Sequence, residues 1–239
     1  MSKNEEKTEE AVEKSGWMQN KSARMLIALI AVIVGATIPL VGANLATVEV
    51  IDNNRQTVLQ NGLLRVLDIE QGDAELASLF DEDSPNNRVI EKRFPQPDGK
   101  DFVVWIGHDG NNNVTGYAVR LTGGGFQGII DIVVGLTPDT EQTTGMEVIE
   151  SGETPGLGDE MRKDEFKNEF YGPDGPGGEG GFMTVPNVDF VKYREPNENE
   201  ENKYRAITGA TYTSNAIRGF FNKALAKLRD LRDAGELEL

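Results

Sequence analysis

The chain has no cysteine in its 239 residues. That excludes disulfides, thiolate-held iron–sulfur clusters and a cysteine nucleophile. It has one histidine, His108. A metal site needs several ligands, so "HDGNNN" reads as a polar turn. Any redox chemistry must therefore come from a cofactor of another kind. Basic residues are scarce: 24 Lys and Arg stand against 40 Asp and Glu, for a formal net charge of −16. The deficit is uneven. Residues 1–24 hold five Lys/Arg and five Glu, so the remainder carries all of it. Such a surface repels nucleic acid and anionic lipid, and no nucleic-acid partner is expected.

Charge is absent altogether from Met25 to Val48, "MLIALIAVIVGATIPLVGANLATV", a run of 24 residues. About 20 suffice for a helix to cross the hydrocarbon core of a membrane. A signal peptide has a shorter apolar core of about 7–15 residues. The length of this run and the polar stretch before it favour a retained anchor. Lys14, Lys21 and Arg24 precede the run, and the first basic residue after it is Arg55. By the positive-inside rule the N-terminus is cytoplasmic. The expected organisation is a cytoplasmic tail at 1–24, a transmembrane helix at 25–48, and a periplasmic or extracellular domain at 49–239. The protein is expected in the cell inner (cytoplasmic) membrane as a single-pass chain.

Beyond the span, residues 44–67 carry apolar positions on one helical stripe and can continue it. A short helix is expected at Ala74–Phe80. Five strand candidates follow: "RVIEKRF", "DFVVWIGHD", "VTGYAVRL", "GIIDIVVGL" and "GMEVIES". The turns between them hold Pro-Asp-Gly, Gly-Asn-Asn-Asn and Thr-Pro-Asp-Thr, which suit an antiparallel meander. A helix is predicted over Asp159–Phe170, and a Gly/Pro-rich loop over 172–181. "VDFVKY" and "KYRAIT" read as two late strands around an acidic loop. A last helix over about Thr213–Arg232 places Ile217, Phe221, Leu225 and Leu228 on a core-facing stripe. The fold class is α+β: one N-terminal transmembrane helix, then a domain with a mainly antiparallel sheet and flanking helices.

Three motifs stand out. "LTGGGFQGI" lies between two strands, so it is no dinucleotide fingerprint, which needs a helix after it; a glycine hairpin or bulge is the plain reading. "ESGETPGLGDEM" joins a strand to a helix. Pro155, Gly156 and Gly158 shape the loop, Asp159 can cap the helix, and Thr154 and Leu157 offer a hydroxyl and an apolar face. "ITGATYTSNAI" sets Thr211, Thr213 and Ser214 at a helix start. Each is a reasonable N-cap, but one cap needs only one. A helix start also favours phosphate, and Gly209 and Ala210 leave room beside Thr211.

On these residues the sequence resembles a known family. "TGAT" at Thr208–Thr211 is similar to the flavinylation motif of covalent FMN-binding subunits: the G subunit of Rnf-type ferredoxin:NAD oxidoreductases and the C subunit of sodium-translocating NADH:quinone oxidoreductases. "ETPGLGDE", "GGGFQG" and "VVGLTPD" resemble the family's loop, its glycine segment and the strand beside it. The resemblance implies FMN held covalently through its phosphate on Thr211, installed by a separate flavin transferase. It implies that the loop from Glu153 lines the ring, with Thr154, Leu157 and Gly158 in contact. One position departs. The motif usually has Asp three residues earlier, where this chain has Arg205, which implies altered recognition by the transferase.

The implied function is electron transfer by a membrane-anchored flavoprotein. It would have no catalytic side chain and no metal, and would sit among the integral membrane and redox subunits of an ion-translocating oxidoreductase (a translocase). "LLRVLD", the glycine segment and "VVGLTPD" lean toward the Rnf type; the length and "TSNA" suit the quinone-reductase type. A membrane-anchored sensor or binding domain holding FMN without a covalent bond is the reading from another class.

Overall fold

The computed structural model describes residues 20–96, 99, 101–171, the backbone of 191–193 and 203, and residues 204–237. It divides into two units, Met1–Asn54 and Arg55–Leu239. In the first unit, helix α1 opens at Lys21; the helix as a whole runs Lys21–Val66. The Asn20 side chain accepts the amide of Ser22 at its start. Pro39 lies inside the helix. The large apolar side chains of the run, among them Leu26, Val32 and Leu40, are all exposed. A helix that is apolar all round belongs in a core or a membrane. Among the described residues this is the one helix long and apolar enough to cross a membrane.

The second unit is built on five strands: β1 (Val89–Pro95), β2 (Asp101–His108), β3 (Val114–Gly124), β4 (Ile129–Leu136) and β5 (Thr143–Ser151). They pair in chain order, each antiparallel to the next. This is the expected meander, because short turns of Gly, Asn, Asp and Pro can join only neighbouring antiparallel strands. β4 is buried from Ile130 to Leu136, which explains its near-continuous apolar sequence. Its one charge, Asp131, is met by Arg120: Nε donates at 2.8 Å and Nη2 at 2.5 Å, and the Thr122 hydroxyl adds a bond of 3.0 Å.

The sheet is covered on both faces. One face packs Trp105, Ala118, Val133 and Ile149 against Leu59, Leu63 and Leu67, at and just beyond the end of α1. The other packs Ile106, Val119, Ile132 and Met146 against Ile217, Phe221, Leu225 and Leu228 of the last helix. That helix, here α3, spans Thr211–Asp233, two residues more at its start than the sequence suggests. Helix α2 is a single turn, Asp164–Lys167, between 3-10 turns at Gly158–Arg162 and Asn168–Phe170. The continuous helix expected over Asp159–Phe170 is therefore broken. Lys163 is extended at φ −72° and ψ 146°. Met161 and Phe166 are both buried, yet five residues apart they would point in different directions on a straight helix. Asp159 makes no cap and instead pairs with Arg162 at 2.9 Å.

The short helix expected at Ala74–Phe80 is a 3-10 turn, Leu76–Leu79. Strands β6 (Val191–Tyr193) and β7 (Lys203–Arg205) form a separate parallel pair. The first half of "VDFVKY", the 172–181 loop and the acidic loop between the late strands lie outside the described residues.

Candidate functional site

The site begins at the turn between β3 and β4. The Gly125 amide donates to the Gly128 carbonyl at 2.7 Å, and Phe126 projects from the turn, 72% exposed. The segment that follows β5 is tied here through the Gly152 amide and the Ile129 carbonyl, at 2.8 Å. A Cβ on Gly128 would lie 2.6 Å from the Gly152 backbone, so the two chains approach at a distance only glycine permits.

Glu153 comes next, and it is buried. Its Oε1 accepts the amides of Gln127 at 2.9 Å and Gly128 at 3.3 Å. Its Oε2 accepts the Thr213 hydroxyl at 2.5 Å. One carboxylate therefore joins the glycine turn, the 153–158 loop and the start of α3. Burial pushes its pKa up. The Thr213 hydroxyl and the amides of Gln127, Gly128 and Phe126 outweigh that and leave the carboxyl below its ordinary value.

The loop then turns tightly. The Thr154 carbonyl accepts the amides of Leu157 at 3.1 Å and Asp159 at 3.2 Å. Gly156 is left-handed at φ +76°. Thr154 is half-buried, Leu157 is exposed and Gly158 is buried. Gly158 is not in the left-handed region. It is glycine because a Cβ there would overlap the Glu153 carboxylate and stand 2.7 Å from Thr213 Oγ1.

The third segment arrives through Gly209, left-handed at φ +78°. A Cβ on Gly209 would lie 3.1 Å from Leu157 Cδ2, so the two loops touch. Ala210, buried, occupies the N-cap position of α3 and makes no side-chain cap bond. The capping role suggested for Thr211, Thr213 or Ser214 is thus filled by none of them. The three hydroxyls have separate fates. Thr213 is spent on Glu153. Ser214 is buried, donates to the Ala210 carbonyl at 3.0 Å and accepts the Ile207 amide at 3.0 Å. Thr211, the first residue of the helix, is exposed, and among the described residues its hydroxyl has no hydrogen-bond partner.

Residues 125–226 match the FMN-binding domain family, a stretch that contains all three segments. The G subunit of the ion-translocating oxidoreductase complex of Methanosarcina acetivorans is 31% identical over 121 residues, 50% of this chain and 55% of that protein. The C subunit of the Na(+)-translocating NADH-quinone reductase of Yersinia pestis is 30% identical over 102 residues, 43% of this chain and 36% of that protein. Over these stretches the chain is similar to the G and C subunits. It spans about half the length of the first curated relatives it matches. In fold, this chain is like the crystal structure of NqrC from Shewanella oneidensis, with a TM-score of 0.57 at 17% identity over 75% of this chain and 99% of that one.

Within this matched stretch, Glu153, Gly158, Leu157, Gly209, Ala210 and Thr211 form one connected cluster through the contacts above, with Thr154 closing the turn. Four apolar side chains stand around it in the open: Phe126, Ile129, Leu157 and Tyr212. Apart from Val58 on α1, they are the exposed large hydrophobic residues of the second unit's described part. The rings of Phe126 and Tyr212 meet edge to face, with centroids 6.0 Å apart. The motif reading missed Phe126, Ile129 and Tyr212, and gave Thr213 only as a cap. A lone Phe in a glycine turn and a lone Tyr among hydroxyls were the available signals. Arg205 faces Glu169: Nε lies 3.5 Å from Oε1, and the Arg205 amide donates to the other carboxylate oxygen. Burial nevertheless keeps the Glu169 carboxyl above its ordinary value. No three His, Cys, Asp or Glu side chains come together as a metal site among the described residues.

An accessible hydroxyl at a helix start, beside open apolar side chains, suits a phosphate with a flat ring attached. The residues fit FMN on that ground.

Proposed function

We propose that this chain is a membrane-anchored electron-transfer protein that carries FMN through a phosphoester on Thr211, within an Rnf-type ion-translocating ferredoxin:NAD oxidoreductase. The observation that carries the reading is the sorting of the hydroxyls. Thr213 and Ser214 are buried and bonded, whereas Thr211 is exposed and, among the described residues, without a partner. In the proposed reaction a flavin transferase moves the FMN portion of a flavin dinucleotide: a P–O bond forms between Thr211 Oγ1 and the flavin-side phosphorus, the pyrophosphate P–O bond breaks, the nucleoside monophosphate leaves, and the hydroxyl proton goes to solvent.

Bound FMN supplies one- and two-electron redox chemistry. The side chains of this chain hold and orient it. The start of α3 would stabilise the phosphate with its positive dipole end. Leu157, Phe126 and Tyr212 offer apolar contacts to the ring, and Glu153 keeps the three segments in register. Residues 25–48 are proposed to anchor the domain in the cell inner membrane, with the tail at 1–24 cytoplasmic and residues from 49 onward on the other side. The partners proposed are the membrane and redox subunits of the same complex. The G-subunit names among the relatives support the Rnf type. The fold likeness to NqrC supports the C-type component of the sodium-translocating quinone reductase as the second reading.

The decisive experiment is a denaturing gel viewed under ultraviolet light, followed by mass spectrometry of the peptide spanning 207–217. A fluorescent band that survives detergent, with FMN less water on Thr211, is expected. Flavin on Thr213 or Ser214, or none, would sink the assignment. Single cysteines placed at Ser2 and Asn112 test orientation: an impermeant label on intact cells or spheroplasts should reach position 112 and not position 2.

A further inference from the structure

A cleft of about 730 Å³ lies away from Thr211, lined by β1, β2, β3, the last helix and Gln56. Four cationic side chains face it, Arg93, Arg120, Lys223 and Lys227, against two carboxylates, Glu91 and Asp101. This reverses the balance of a chain whose net charge is −16. Glu91 is already engaged, by Arg93 at 2.5 Å and by the Trp105 ring N–H at 3.2 Å. Arg120 is held by Asp131. Lys223 and Lys227 have no carboxylate partner among the described residues. They are four apart on α3, which puts two like charges on one face, an arrangement that repels unless an anion sits between them. Beside them, one turn earlier on the same helix, Phe220 lines the wall.

We propose that this cleft binds a ligand made of a phosphate group and an apolar or aromatic body. The phosphate lies between Lys223 and Lys227, and the body against Phe220. Paired ammonium groups hold a phosphate by charge-assisted hydrogen bonds, and ring faces hold a flat or greasy body. The volume is in the range of small-molecule sites. Neither Thr211 nor Leu157 lines the cleft, so the inference does not depend on the flavin assignment. The same chemistry is carried by a soluble mononucleotide or by an anionic phospholipid headgroup with its chains.

The test is calorimetric titration of adenosine 5′-monophosphate into the full chain held in phosphatidylcholine nanodiscs. Saturable binding that weakens with salt is expected, lowered at least tenfold in Lys223→Glu/Lys227→Glu and kept in Lys223→Arg/Lys227→Arg. Lys223→Gln, at an exposed position, should weaken it by itself. Repeating the titration in discs containing phosphatidylglycerol separates the sources. Suppressed binding assigns the cleft to a headgroup, and unchanged binding assigns it to a soluble phosphate. No saturable binding up to millimolar nucleotide, or equal binding in the charge-reversed variant, overturns the proposal.

Discussion

Thr213 donates its hydroxyl to Glu153 Oε2 at 2.5 Å. That bond links the start of the last helix to a loop 60 residues earlier in the chain, and the same carboxylate holds the glycine turn through two amides. Removing it should be felt in all three segments. Glu153→Ala leaves a buried hydroxyl and two amides without an acceptor and should destabilise the domain by about 2–4 kcal/mol. Glu153→Gln keeps the shape and one acceptor and should cost about 1–2 kcal/mol. Denaturant unfolding of each variant against the parent measures this; equal midpoints would show that Glu153 does not hold the segments together.

The same carboxylate makes stability depend on pH in a defined direction. Burial raises its pKa, the Thr213 hydroxyl and the backbone amides lower it, and the outcome is a value below the ordinary 4.5. A depressed carboxyl contributes stability that is fully present above its unfolded value and lost as pH falls through its folded value. The stability gap between the parent and Glu153→Gln should therefore be constant near neutrality and narrow only below about pH 4.5. Thermal melts from pH 3 to 8 follow it, and a gap that widens on acidification would contradict the assignment.

Gly158 and Gly156 are two residues apart and should respond differently. A Cβ on Gly158 meets Glu153 and Thr213, whereas one on Gly156 meets nothing within 4 Å. Gly156→Ala should cost only the left-handed strain, about 1–2 kcal/mol. Gly158→Ala should cost more, because it separates the Glu153–Thr213 pair, and Gly158→Val more again. Comparing the unfolding midpoints of the three variants tests the order. A Gly156→Ala change as harmful as Gly158→Ala would place the constraint in φ alone.

Leu157 and Thr154 bear on the ring rather than on the tether. Leu157 is 44% exposed, so its truncation opens no core cavity. With FMN on Thr211, Leu157→Ala and Thr154→Ala should retain the flavin, yet shift its absorbance or midpoint potential and slow electron transfer. Redox titration of the purified chain reads this out. Unchanged spectra, potentials and rates in both variants would make the loop a connector only.

Much of this architecture was legible because it is local. Five short apolar runs separated by turn residues can scarcely do other than pair in order, and the stripe Ile217, Phe221, Leu225, Leu228 announces a helix with one buried face. The helix expected over Asp159–Phe170 was misread because apolar content was visible but the direction of each side chain was not. Met161 and Phe166 reach the same core only if the chain breaks at Lys163. The parallel pairing of β6 with β7 had no local sign either, since strand direction within a pair depends on the path between them.

The sequence by itself determined the apolar span, the meander, the last helix and the three motifs, since period, length and turn chemistry act between near neighbours. Only the tertiary structure decided what those motifs do to one another. It buried Glu153 among the three, set Phe126 against Tyr212, and chose among three adjacent hydroxyls by exposing one. Thr211, Thr213 and Ser214 are alike in chemistry and lie within one helical turn. What separates them is which side of α3 meets the loop and the core, and that is set by packing between segments distant in the chain.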